Sequence, residues 1–242
     1  MKSVKIYIAT HKKANLPELK EYIPIQVGAE KKESLGYIGD NTGENISSKN
    51  PNYCELTATY WIMKNDKSDI VGLSHYRRYF FKNKLSNSYE NIIDKEDILN
   101  ILKKYDIILP EKYNLRGTVK KQYSKTHNIE DLMKCKEIIN KKCPEYSKSF
   151  DKVLRKRKIY TYNMFISSKK IFDDYYKWLF DILFEAEKYI DISNYDDYNK
   201  RVYGFLSERL FNVWIEKNKK NLKIKEMPVY NTEEKVKKLF SL

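Results

Sequence analysis

Asp69-Ile70-Val71-Gly72-Leu73, running into Ser74-His75-Tyr76-Arg77-Arg78-Tyr79-Phe80, is the stretch on which the fold turns. A short apolar run of this kind reads as a buried strand that delivers polar groups at its C-terminal end. The same strand-then-stop form occurs upstream in Val4-Lys5-Ile6-Tyr7-Ile8-Ala9-Thr10, ending at His11-Lys12-Lys13, and downstream in Asp106-Ile107-Ile108-Leu109-Pro110. Tyr22 to Val27, Ile159 to Ile166 and Leu222 to Val229 are further strand candidates. Asn50-Pro51 makes a cap and first turn for a helix through about Asn65, with Tyr53, Leu56, Tyr60 and Met63 at helical spacing. Leu132, Cys135, Ile138 and Ile139 mark a second helix, Ile171 to Ala186 a long third, and Lys200 to Lys217 a last one. Strands alternating with helices predict an α/β fold with a mostly parallel central sheet flanked by helices. At 242 residues, without internal repeats or a Gly/Ser linker, residues 1–242 read as a single domain.

Ligands of α/β sheets bind beyond the carboxyl ends of the strands. His75-Tyr76-Arg77-Arg78 places two adjacent arginines and one of only three histidines at such an end. Guanidinium groups make bidentate bonds to phosphate oxygens and keep their charge at physiological pH, so the pair suits a diphosphate; alternatively, one arginine satisfies a buried carboxylate while the other lies in water. A second constellation is Arg201, Gly204, Phe205, Glu208 and Arg209. On one helix Arg201, Phe205 and Glu208 share a face, which either aims a carboxylate and a guanidinium into a cleft or forms an ordinary ion-paired surface. Asp40-Asn41-Thr42-Gly43-Glu44-Asn45 either grips sugar hydroxyls or builds turns, with turn chemistry the stronger reading.

Several classes are excluded or weakened. No GxGxxG, GxxxxGK[ST], GxSxG or HExxH occurs, and no Asp-x-Asp follows an apolar strand, so a divalent metal is not expected. Asp94-Lys95-Glu96-Asp97 and Asp196-Asp197 read as helix starts. Cys54, Cys135 and Cys143 form no CxxC pair and read as reduced thiols of a cytoplasmic protein. The formal charge of +14 raises the alternative of a non-catalytic nucleic-acid- or phospholipid-binding module, with Lys152 to Lys158 as its basic segment. The lysines are otherwise scattered, and only seven of the 47 basic residues are arginine, so no nucleic-acid partner is expected. A basic surface equally suits peripheral contact with the anionic inner face of the cell membrane. No stretch is long and apolar enough for a spanning helix, and the tail after Val229 is short and basic.

Nearly the whole chain resembles the bacterial capsule and exopolysaccharide glycosyltransferases formerly labelled only as a domain of unknown function. The likeness rests on Lys5-Ile6-Tyr7-Ile8-Ala9-Thr10-His11-Lys12, Gly39-Asp40-Asn41-Thr42-Gly43-Glu44-Asn45, Gly72-Leu73-Ser74-His75-Tyr76-Arg77-Arg78, Tyr162-Asn163-Met164-Phe165 and Gly204-Phe205-Leu206-Ser207-Glu208-Arg209-Leu210. The resemblance implies a GT-A-like fold, with a nucleotide-binding part over about 1–125 and an acceptor-binding part over about 126–242. It further implies transfer of a hexose, often galactose, from a UDP-sugar donor to a glycan or lipid-linked glycan acceptor, with no other cofactor. Where that fold normally carries Asp-x-Asp, this chain has His75-Tyr76-Arg77, so side-chain cations are expected to replace a metal. Thr10, His11 and Lys12 are then expected to border the nucleotide, Arg77 and Arg78 the diphosphate, and Asn163 the sugar or acceptor, with Arg201 and Arg209 nearby. An inverting transferase needs a base for the acceptor hydroxyl; Glu208 is the first candidate, Asp40 the second and His75 the third.

Overall fold

A computed structural model describes residues 2–86 and 88–233. Its sheet begins with β1 (Val4–Thr10), β2 (Tyr22–Gln26), β3 (Ile38–Gly39) and β4 (Ile70–His75). Two short helices, α1 (Asn50–Tyr53) and α2 (Leu56–Asn65), lie between β3 and β4 in sequence. A short strand, β5 (Arg78–Phe80), folds back on β4, and α3 (Lys95–Leu102) leads into β6 (Ile107–Pro110). The next region holds β7 (Tyr113–Asn114), α4 (Val119–Thr126), α5 (Ile129–Lys142), α6 (Ser147–Arg155) and β8 (Lys158–Ile159), with β7 and β8 paired as a separate ribbon. The chain then forms β9 (Ile166–Ser168), α7 (Lys169–Ala186), α8 (Val202–Asn218), β10 (Ile224–Met227) and β11 (Val229–Asn231).

The main path of the sheet is β10-β6-β9-β4-β1-β2-β3, along which only β9 runs against its neighbours among the described residues, and β5 adds antiparallel pairs with β4 and β11. Successive side chains of a strand point to opposite faces, and in β1 both faces are buried. Tyr7 and Ala9 join Val71, Leu73 and Ile107 under the layer containing α2, α5, α7 and α8, while Ile6 and Ile8 join Ile70, Ile108 and Ile166 on the face covered by α3 and β5. Gly72 lets β4 and β9 approach: a Cβ there would lie 2.6 Å from Ile166 Cγ1 and 3.0 Å from the Phe165 carbonyl oxygen. The single-domain α/β architecture with a mostly parallel, helix-flanked sheet is therefore as the sequence implied.

Four local expectations change. The helix expected from Asn50 to Asn65 is broken at Cys54, whose φ of 53° and ψ of −130° end α1 before α2 begins. Asn50 Nδ2 stabilises the break by donating to the Cys54 carbonyl at 2.8 Å. The strand expected over Ile159 to Ile166 exists only at its ends, because Tyr162 and Asn163 adopt left-handed φ values of 75° and 52°. Side chains take over the ladder's role there, with Glu208 accepting from the Tyr162 amide at 3.0 Å. The basic segment Lys152 to Lys158 begins in the last turn of α6, and two of its five basic residues, Lys152 and Lys156, pair with the buried Glu216. Asp94 does start α3 with a capping box, whereas Asp196 caps a turn ahead of a single 3-10 turn. Of the basic tail, residues 234–242 lie outside the described residues.

Candidate functional site

The C-terminal ends of β1 and β4 open into a cleft of about 900 Å³. His11 follows β1 directly, His75 ends β4, and the Tyr76–Arg78 turn leads into β5, so the sheet itself delivers these side chains to the edge. Lys32, Arg77, Arg78, Arg201 and Arg209 line the cleft, against the carboxylates Glu55 and Glu208. The excess of cations makes a focused positive field in a partly enclosed space. His11 registers it: burial first, then the charges of Lys32, Lys12, Arg77 and Arg201, push its pKa below the ordinary imidazole value.

Around Tyr76 the cations are arranged for an anion. Lys12 Nζ lies 4.9 Å and the Arg77 guanidinium 5.4 Å from the centre of its ring. Arg77 Nη1 donates to Glu233 at 3.3 Å, and Lys12 pairs with the same carboxylate at 3.7 Å. Arg77 Nε is buried without a hydrogen-bond partner among the described residues. Such a donor is costly unless something meets it. Arg78 stacks over Tyr162 at 4.8 Å.

The floor of the cleft is a strained turn held from several sides. Tyr162 donates its amide to Glu208, and its carbonyl lies 2.8 Å from His75 Nε2. A carbonyl only accepts, so Nε2 carries the proton and His75 orients the turn. Asn163 Nδ2 donates to Glu55 Oε1 at 2.7 Å and to Ser207 Oγ at 2.8 Å. The backbone break at Cys54 places Cys54 and Glu55 in the cleft wall, where Arg201 Nε donates to Cys54 Sγ at 3.2 Å. Cys54, Tyr162 and Asn163 are the non-glycine residues with positive φ among those described; the first two line the cleft and Asn163 lies buried directly behind it. Strain of this sort persists only where the surroundings over-determine it, and it clusters at functional sites.

Of the residues singled out in the sequence, His11, His75, Arg77, Arg78, Arg201, Glu208 and Arg209 converge on the cleft. Arg209 is held there through Nη1 and Nη2, which donate to Phe205 O, Glu208 and Gln122, and lies 5.0 Å over the Tyr123 ring, while its Nε is buried without a partner among the described residues. Lys12 stands at the rim with Glu233, and Thr10 is buried with its hydroxyl donating to the Lys12 carbonyl at 2.5 Å. Asn163 lies buried, behind Glu55 and Ser207. Asp40 must be withdrawn as a candidate base. It is fully buried outside the cleft, and its carboxylate accepts from the Gly28 and Ala29 amides and the Ser47 hydroxyl. His75 spends Nε2 on the Tyr162 carbonyl, which leaves Nδ1 as its basic nitrogen. Glu55, Cys54, Lys32, Gln122, His127, Tyr162 and Tyr198 line the cleft without having been singled out. Glu55 was hidden because an unbroken helix would have turned it away; His127 had only its rarity as a signal.

Among the described residues no group of three or more His, Cys, Asp or Glu side chains is placed to hold a metal ion, and no helix is long and apolar enough to cross a membrane. Fold and cleft together define an α/β protein with a cation-lined cleft at the carboxyl edge of its sheet. Residues 5–219 match the family described as a domain of unknown function (DUF4422), and the chain belongs to that family. One solved structure it resembles is described as the apo structure of the bifunctional glycosyltransferase WbbM, with a TM-score of 0.89 and 35% identity. The match covers 96% of this chain and 46% of that one, so the chain spans about half the length of that relative. No curated protein matches.

Proposed function

We propose that this chain is a glycosyltransferase that moves a hexose, galactose foremost, from a UDP-sugar to a glycan or lipid-linked glycan in bacterial capsule, exopolysaccharide or lipopolysaccharide synthesis. The observation that carries this reading is the convergence of Lys32, Arg77, Arg78 and Arg201 with His11, whose pKa burial and these cations lower, at the carboxyl edge of β1 and β4. A departing nucleoside diphosphate needs charge neutralisation, and preorganised guanidinium groups supply it without a divalent ion. The likeness to a chain described as a bifunctional glycosyltransferase supports the same chemistry. The first half of the chain, to about residue 125, then holds the donor and the second half the acceptor. Location at the cytoplasmic face of the membrane, with the basic surface against anionic lipid, fits a lipid-linked acceptor.

The reaction breaks the bond between the anomeric carbon and the diphosphate while the acceptor oxygen bonds to that carbon and surrenders its proton to a base. Glu208 is the base we assign, since it lines the cleft on α8. Glu55 is a second reading favoured by one observation. Both Glu208 oxygens are engaged, by Tyr162 N and Arg209, whereas among the described residues only Oε1 of Glu55 accepts a hydrogen bond, from Asn163. Release of UDP from UDP-galactose with purified surface-glycan acceptors tests the assignment. Glu208→Gln is expected to bind UDP normally and to lower turnover at least about 100-fold. Full turnover in that variant with loss in Glu55→Gln transfers the role to Glu55, and no sugar transfer by the wild-type protein to any acceptor overturns the function.

A further inference from the structure

Beside its cationic part the cleft has a part of different chemistry. His127 stacks on Phe205 with ring centres 4.1 Å apart and planes 26° apart. Tyr198 lies nearly parallel to His127 at 5.8 Å and packs on Phe205 at 5.0 Å. Tyr123 backs His127 from 4.8 Å, and Asn199 Oδ1 meets His127 Nδ1 at 2.9 Å, so the platform is fixed from behind. Yet Tyr198 remains 54% exposed. It and Tyr113, 57% exposed, are two of the five exposed large hydrophobic side chains among the described residues, and both line this cleft. Folding normally covers such area at about 25 cal/mol per Å², so its exposure on a rigid base points to a ligand with an apolar face.

We propose that this aromatic platform is the subsite for a pyranose ring of the acceptor glycan, an inference that rests on the transferase reading. A pyranose has one face of C–H groups, which stacks on an aromatic ring, and an edge of hydroxyls. Phe205 and Glu208 are three residues apart on α8 and share a face, and the exposed Tyr198 packs on Phe205, so a ring stacked on Tyr198 lies along the same cleft wall as the assigned base. The Arg201 guanidinium, 5.6 Å from the Phe205 ring, links the platform to the cationic part, so the stacked acceptor lies next to the leaving group. A nucleobase, the other flat partner, is provided for elsewhere. The first strand's end carries the nucleotide in sheets of this type, and there Ala9, Val27, Lys32, Asn50 and Pro51 line the cleft.

The test uses the whole chain, titrated by saturation-transfer NMR with the methyl pyranosides of galactose, glucose and mannose in the presence of UDP, alongside UDP calorimetry. At least one pyranoside is expected to bind the wild-type protein, Tyr198→Ala to weaken it about tenfold, and Tyr198→Phe to restore it. Unchanged pyranoside affinity in Tyr198→Ala overturns the proposal, as does a failure of every pyranoside to bind the wild type. Lost UDP affinity with unchanged pyranoside binding assigns the platform to the base and also overturns it. If UDP fails to bind but Tyr198→Ala still weakens a pyranoside, the platform stands as a glycan site and the transferase reading falls.

Discussion

Asn163 couples backbone strain to the site, and its replacement separates the two. Its φ of 52° costs an alanine about 1 kcal/mol more than a glycine, because only glycine lacks the Cβ that crowds the left-handed region. Its Nδ2 donates to the Glu55 carboxylate and to Ser207, and both acceptors lie in or behind the cleft wall. A bond to a charged acceptor contributes about 2 kcal/mol and a neutral one about 1 kcal/mol. Asn163→Ala therefore loses about 4 kcal/mol, and Asn163→Gly about 3 kcal/mol. For a chain of 242 residues this lowers Tm by about 8 to 16 °C and 6 to 12 °C respectively, with the glycine variant the more stable by 2 to 4 °C. Differential scanning calorimetry at pH 7 measures both. An alanine variant as stable as the glycine variant would refute the strained turn, and losses below about 1 kcal/mol in both would refute the Asn163–Glu55 link.

The remaining predictions concern charge. Burial alone would raise the Glu216 carboxyl, but Lys152, Lys156 and Lys219 hold it down at about 2, against an ordinary 4.5. That descent corresponds to about 3 kcal/mol, which water around the half-exposed lysines reduces to about 2 kcal/mol. A depressed carboxyl stabilises above its unfolded value and loses that contribution as pH falls from about 4.5 to about 2. Glu216→Gln should thus melt about 4 to 8 °C lower at pH 7, with the gap to wild type closing across that window. His11 has a folded pKa below the ordinary 6.5, from burial and the neighbouring cations. A bound diphosphate would offset those cations and raise it, so UDP-galactose affinity should rise as pH falls below neutral and stay flat in His11→Gln.

The sheet was legible because β1, β4 and β6 are buried on both faces and stand out as apolar runs that end abruptly in polar residues. The arginines beyond β4 were legible for the same reason, since a strand's end is fixed once the strand is found. The wall and floor were not. Whether the chain continues as helix past Tyr53 depends on Asn50 holding the Cys54 carbonyl and on Gly204, where a Cβ would stand 3.3 Å from Cys54 Sγ. The Gly204–Cys54 approach joins residues far apart in the chain, and no local pattern records it. The turn at Tyr162 likewise depends on Glu208 and His75 reaching it from other elements. Asp40 misled because an acidic residue in a Gly-rich loop looks the same whether it faces a ligand or closes on its own backbone.

Calorimetric titration with UDP, in buffer, in EDTA and on Arg77→Ala, tests the central claim most directly. Micromolar binding that survives EDTA and weakens at least about tenfold in Arg77→Ala, as loss of a charge-assisted contact requires, is the predicted result. Binding that EDTA abolishes, or that Arg77→Ala leaves untouched, would contradict a diphosphate site built from the side-chain cations of this cleft.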